Sequence, residues 1–151
     1  MVNVDGALQL DRAYGVDFPR TTFFHGGGGA ESSPQDIWRF ARLFLNGGAV
    51  DGVRILRPES IRLMMSDHLG EKSPLGDGLG WGFGAAVLTT ESGAPLQYGW
   101  VGGGYTTIWV DLGEKLVAYF AFPVAPPGDS ALLNEFRRLV YIAIADPNAN
   151  P

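Results

Sequence analysis

The chain has no cysteine, only two histidines and only two lysines among its 151 residues, and each scarcity removes a class of function. Without cysteine there is no disulfide framework and no thiolate metal site. His25 and His68 are isolated, with no acidic partner at ligand spacing, so no metal is expected, and no cofactor. A net charge of −5 lacks the basic stripe of a phosphate-backbone binder, which argues against nucleic acid as a partner. Long apolar runs are missing too: those near residues 116–122 and 139–145 fall short of the ~20 residues a bilayer requires. The opening residues are mixed and polar, without a signal-peptide pattern. None of this assigns a compartment.

The chain is 46% apolar, ordinary for a globular protein, and its length suits one domain with a core of its own. The pattern predicts an α+β fold, an antiparallel meander of three to four strands flanked by helices. Residues 1–151 read as one domain: an irregular lead-in over 1–25 with one short strand near 2–8, a helical part over 33–66, a sheet over 78–123, and a closing helix over 130–145.

Local signals place the elements. Ser33 offers a helix N-cap, Pro34 suits the first helical turn and Asp36 completes an S-x-x-D capping pattern. Ile37, Phe40, Ala41, Phe44 and Leu45 fall on one helical face, and Asn46-Gly47-Gly48 ends the helix with a left-handed cap. Asp51-Gly52 is a hairpin-like turn, and Pro58 starts a second short helix with Ile61, Met64 and Met65 on one side. Residues 79–88 read as one strand, with Gly78, Gly80, Gly82 and Gly84 on a bare face that another backbone can approach. Strands over 96–100, 105–111 and 116–122 follow, with a turn at 111–115 in which Asp111 makes an Asx-type bond. Asp129 or Ser130 caps the last helix, whose apolar face is Leu132, Phe136, Leu139, Val140 and Ala143. Trp38, Trp81 and Trp109 read as core, with Trp81 and Trp109 paired across adjacent strands.

The segment 99–111, GWVGGGYTTIWVD, concentrates the chemistry. A glycine run between two strand-like stretches lets backbone N–H groups come close to a ligand. The spacing of Trp100, Gly102, Thr106, Trp109 and Asp111 resembles the third motif of serine hydrolases related to class C β-lactamases. That group includes penicillin-binding DD-peptidases and family VIII-type esterases; its esterase branch reads W-G-G, where this chain has Val101 at the second position. Residues 26–40, GGGGAESSPQDIWRF, are similar to the family's G-G-G-G-L-x-S-T-A-x-D-Y-A-R-F. Residues 43–56 and 79–84 resemble its L-L-N-G-G…G-x-R-I-L and G-L-G-W-G-F blocks, in the same order. The glycine run 26–29 is therefore read as a turn before a capped helix; no G-K-[ST] follows it, so it is no phosphate loop.

The resemblance implies a bacterial β-lactamase/transpeptidase-like fold in which this strand lines the cleft. Its backbone would supply one of two oxyanion donors, carried onto Gly103, just after the motif. Trp100, Val101, Gly102, Gly103 and Tyr105 would contact the substrate, an ester or β-lactam. Trp100 cannot bear the charge with which lactamases and DD-peptidases engage a carboxylate, which favours esters. The family's S-x-x-K and Y-x-N are absent: no serine has a lysine three positions on, and no tyrosine has Asn or Ser two positions on. The chain thus looks like the C-terminal part of such an enzyme, inactive alone. The family's sheet continues past residues 116–122, so that strand would be an open edge and a route to a homodimer. The other reading is a complete non-catalytic module that binds a small ligand or partner through its Trp/Tyr/Gly surface. The compartment stays open among periplasmic, secreted and cytoplasmic.

Overall fold

A computed structural model describes residues 2–4, 7–9, 27, 30–70, 79–102, 106–121 and 131–146. Two short strands, β1 (Val2–Val4) and β2 (Ala7–Gln9), pair antiparallel with each other, so the lead-in holds a hairpin where the sequence suggests one strand. Then come α1 (Pro34–Leu45), β3 (Ala49–Val50), β4 (Val53–Arg54) and α2 (Pro58–Met64). The second half carries β5 (Leu79–Trp81), β6 (Ala86–Thr89), β7 (Pro95–Val101), β8 (Thr106–Asp111), β9 (Leu116–Ala121) and α3 (Ala131–Ala145).

The capping chemistry of α1 takes the expected form. Ser33 is the N-cap, its Oγ accepting from the Asp36 amide at 3.2 Å while donating to the Asp36 carboxylate at 2.9 Å. At the other end the Gly48 amide reaches Leu43 O at 2.7 Å and the Gly47 amide reaches Phe44 O at 3.3 Å, with Gly47 at φ +61°. That is a Schellman cap, which a Cβ at position 47 would strain. Asp51 and Gly52, both at positive φ, form the tight turn of the β3–β4 hairpin.

The main sheet is antiparallel in the order β5-β6-β7-β8-β9, five strands where the sequence suggests three to four. The extra strand comes from a break inside residues 79–88. The Gly82 amide bonds Ala85 O at 2.9 Å and Gly84 sits at φ +89°, so the chain reverses there and β5 pairs with β6. The glycine face is real over β5. A Cβ on Gly80 would lie 2.2 Å from Asp67 Cγ, and one on Gly82 2.1 Å from Met64 O. The segment after α2 thus packs directly on bare backbone.

Strand alternation sends Val87, Tyr98 and Val110 to the α1 side, where they join Ala41, Phe44, Ile61 and Met65 in the core. Phe44 and Tyr98 meet at 4.8 Å, and burying the phenyl ring contributes roughly 1.5–3 kcal/mol. Gln97, Trp109 and Asp111 alternate to the α3 side. Two sequence expectations change here. α1 buries the narrow stripe of Ala41, Leu43 and Phe44, leaving Phe40 59% and Trp38 46% exposed. Trp38 lies instead under the Arg42 guanidinium, 4.6 Å from the ring. α3 docks through Phe136, Arg137 and Tyr141 rather than Leu132 and Ala143, which are exposed. Polar contacts to the sheet, described below, set that rotation. The capping residues expected at 129–130 lie outside the described residues.

Candidate functional site

The β7–β8 hairpin carries the motif. Its register runs from Gln97↔Asp111 to Val101↔Thr107, and the Gly102 amide bonds Thr106 O at 2.8 Å to close it. Gly99 permits this close pairing, because a Cβ there would lie 2.3 Å from Ile108 O. The Gly102 N–H is therefore occupied within the hairpin. By the strand pleat, the Val101 amide points the opposite way, toward the β6 side. β6 pairs with β7 only as far as Ala86↔Gly99, so the Val101 backbone stands past the last paired residue. Gly103 and Tyr105, the oxyanion-donor candidate and its neighbour, lie outside the described residues, as does His25.

Trp100 is 46% exposed at the end of β7, and its carbonyl accepts the Thr107 hydroxyl at 3.1 Å. Its ring meets Trp81 edge-on at 4.7 Å. The Trp81–Trp109 pair read from the sequence does not form, because two strands separate β5 from β8. Trp109 is buried on the α3 side against Phe136 and beneath Arg137.

Beside Trp100 a cleft of about 230 Å³ opens between α1, the end of α2 and the β5–β6 turn. Phe40, Phe44, Met64, Phe83, Tyr98 and Trp100 line it. Burial raises the Tyr98 pKa, and its hydroxyl is engaged with Phe83 O.

Two groups near this mouth invite a catalytic reading that their geometry rejects. Ser66 Oγ lies 3.3 Å from His68 Nε2, a separation a nucleophile and base would use. Yet His68 Nε2 also lies 2.9 Å from Leu63 O, a pure acceptor, so that nitrogen carries its proton. A protonated Nε2 cannot take one from serine. Ser66 Oγ donates to the same carbonyl at 2.8 Å, so the pair caps the end of α2. The His68 ring also stacks on Phe83 at 4.3 Å.

Asp67 is also structural. Its carboxylate accepts the Leu69, Gly70 and Trp81 amides at 2.9–3.0 Å. The Leu69 amide and then the Trp81 amide hold its pKa below the ordinary carboxylate value.

The sequence reading missed a polar cluster on the α3 side. Asp111 Oδ1 accepts the Glu114 amide at 3.0 Å, the expected Asx-type bond, but Oδ2 accepts both Tyr141 Oη and Gln97 Nε2 at 2.7 Å. Arg137 donates to Gln97 Oε1 at 2.8 Å and lies 4.7 Å over the Trp109 ring. The available signal was the i, i+4 pair Arg137/Tyr141 on α3, matched by two polar residues, Gln97 and Asp111, on inward strand positions.

No protein-family model matches the chain. Two curated proteins of Mycobacterium tuberculosis are similar to it: Protein Rv1367c of strain ATCC 25618 / H37Rv and Uncharacterized protein MT1414 of strain CDC 1551 / Oshkosh. Each is 36% identical over 103 residues, covering 58% of this chain and 26% of the relative, so the chain matches only a minor part of their length. A crystal structure from Bacteroides dorei DSM 17855, described as a "putative beta-lactamase", superposes with a TM-score of 0.50 at 17% identity, over 69% of this chain and 38% of that one. At that identity the likeness is one of fold: this chain is α+β, with a five-stranded antiparallel sheet and a β-lactamase-like fold.

Proposed function

We propose that this chain is the C-terminal part of a serine hydrolase related to class C β-lactamases, in the branch of penicillin-binding proteins and family VIII-type esterases. Its single domain supplies the third-motif strand and one oxyanion donor to a site whose nucleophile lies elsewhere in the whole protein. The observation that carries the reading is that Trp100, Val101 and Gly102 close the pairing with β8 where β6 no longer pairs with β7, beside an apolar cleft.

In the parent, a serine activated by its lysine attacks an ester or lactam carbonyl. The Gly103 N–H donates to the resulting oxyanion, together with the nucleophile's own amide, and water later releases the acyl group. The Gly102 amide is engaged with Thr106 O, which supports a donor other than Gly102. Trp100 offers no charge to a substrate carboxylate, which supports an ester substrate.

Gly103→Pro in the full-length parent removes the donor and is expected to lower kcat by about 10²–10³. A parent that keeps full kcat/KM with proline at 103, or that takes no fluorophosphonate label on a serine, would overturn the reading. The second reading, a non-catalytic binding module, draws on the absence of S-x-x-K from these 151 residues.

A further inference from the structure

The cleft between α1 and β7 has an unusual chemistry for a site mouth. Three aromatic side chains stand exposed around it, Phe40 at 59%, Phe83 at 50% and Trp100 at 46%. No charged side chain is among its described lining residues. Its polar atoms are also engaged. The Tyr98 hydroxyl donates to Phe83 O, and Met64 O accepts the Phe83 amide at 2.9 Å. What remains is a hydrocarbon-walled space with aromatic faces, in which the Trp100 indole N–H is the one further donor on the described side chains. A charged or strongly polar group entering it would lose most of its hydration for little replacement.

We infer that this cleft takes the apolar acyl group of an ester, with Phe40 and Phe83 as its walls and Trp100 at the junction with the reacting carbonyl. The inference rests on the hydrolase reading only for the word ester; the preference for an uncharged apolar group stands on the cleft alone. Size agrees. An apolar cavity of ~150 Å³ accommodates benzene, and this one offers about 230 Å³. A linear acyl group of roughly six carbons therefore fits, while a bulky bicyclic acid does not. Position agrees as well. Trp100 lines the cleft and also begins the motif, so an acyl chain lying against Phe40 and Phe83 would bring its carbonyl to the end of β7.

The test uses this chain itself, with methionine methyl groups labelled with carbon-13. Met64 lines the cleft, whereas Met65 is buried in the core and does not. Methyl hexanoate is titrated against sodium hexanoate and against 2-hydroxyethyl acetate. The expected result is a saturable Met64 shift with methyl hexanoate, at least tenfold weaker binding of the other two probes, and an unmoved Met65. Phe40→Ala, a change at an exposed position, should weaken methyl hexanoate several-fold, and Leu132→Ala on the α3 side should not. An absent Met64 shift, equal binding of hexanoate anion, or a shift that follows protein concentration instead of ligand, as when a second copy fills the cleft, would overturn the inference. Because binding is read on a chain without a nucleophile, a parent that lacks hydrolase activity would remove the ester reading and leave this result untouched.

Discussion

Tyr141 on α3 donates its hydroxyl to Asp111 at the end of β8 across 2.7 Å, and this bond ties the closing helix to the sheet. Gln97 joins it, donating to both the Asp111 carboxylate and the Tyr141 oxygen. A carboxylate buried at a sheet end is tolerated because every approach to it is a donor.

Tyr141→Phe removes one charge-assisted hydrogen bond while keeping the ring. The expected loss is about 1.5–3 kcal/mol, read as a lower urea midpoint with unchanged slope. A midpoint equal to the parent chain's would show that water replaces the hydroxyl at no cost.

Stability should fall at both pH extremes. Burial works to raise the Asp111 pKa, but the Glu114 amide, the Tyr141 hydroxyl and the Gln97 amide outweigh it and lower it overall. A carboxyl depressed in the folded state contributes stability that is complete above the unfolded value of about 3.9 and is lost as pH falls through the folded one. Asp67 acts in the same direction. Tyr141 moves the other way: burial and then the bond to Asp111 raise its pKa. Its contribution is complete below about 10 and is lost as pH rises through the folded value. Urea midpoints measured across pH should show both limbs, and Asp111→Asn should flatten the acid one. An acid limb unaltered by both Asp111→Asn and Asp67→Asn would refute the assignment.

Glycine-to-alanine changes should separate by what the new Cβ meets. Gly82→Ala sets a methyl 2.1 Å from Met64 O, a backbone atom that cannot swing away. It should destabilise by about 1–3 kcal/mol. At Gly102 the nearest atom is Thr106 O at 3.5 Å, an ordinary contact, so Gly102→Ala should leave Tm close to that of the parent chain. The reverse order in thermal melts would contradict the packing of the α2 end on β5.

The isolated chain should hydrolyse neither p-nitrophenyl butyrate nor nitrocefin, since no acyl-enzyme forms without a nucleophile. Ser66 and His68 are the pair to watch, and Leu63 O holds the tautomer that disables them. A burst of nitrophenol with acyl label on Ser66 would reverse this conclusion.

β9 is the last strand of the sheet among the described residues, and its six residues carry neither charge nor proline. Such an edge invites pairing with a second strand. Light scattering over a concentration series should detect a dimer, and Ala121→Lys should shift it toward monomer. A monomer at every concentration would indicate an edge already covered.

Much of the fold is legible in local chemistry. Ser33, Pro34 and Asp36 start α1, and Gly47 and Gly48 end it, because capping depends on residues a few positions apart. Asp51-Gly52 and residues 111–115 mark their turns for the same reason. The β7–β8 strands, and Trp100 with Gly102 at their tip, also follow from pattern and spacing. Other features belong to tertiary structure. Alternating glycines over 79–88 look like one strand, and only the local reversal at Gly82–Ala85 shows two. Phe40 satisfies helical periodicity yet faces the cleft, because the sheet beneath α1 has room for a narrow stripe only. Helical period alone cannot set the rotation of α3; Gln97 and Asp111, 26 or more positions earlier in the chain, do so by demanding Arg137 and Tyr141. Periodicity and capping act through neighbours along the chain, so the sequence by itself determines them. Which face is covered, and which buried polar group finds its donor, depends on residues far apart in sequence, and there tertiary packing decides.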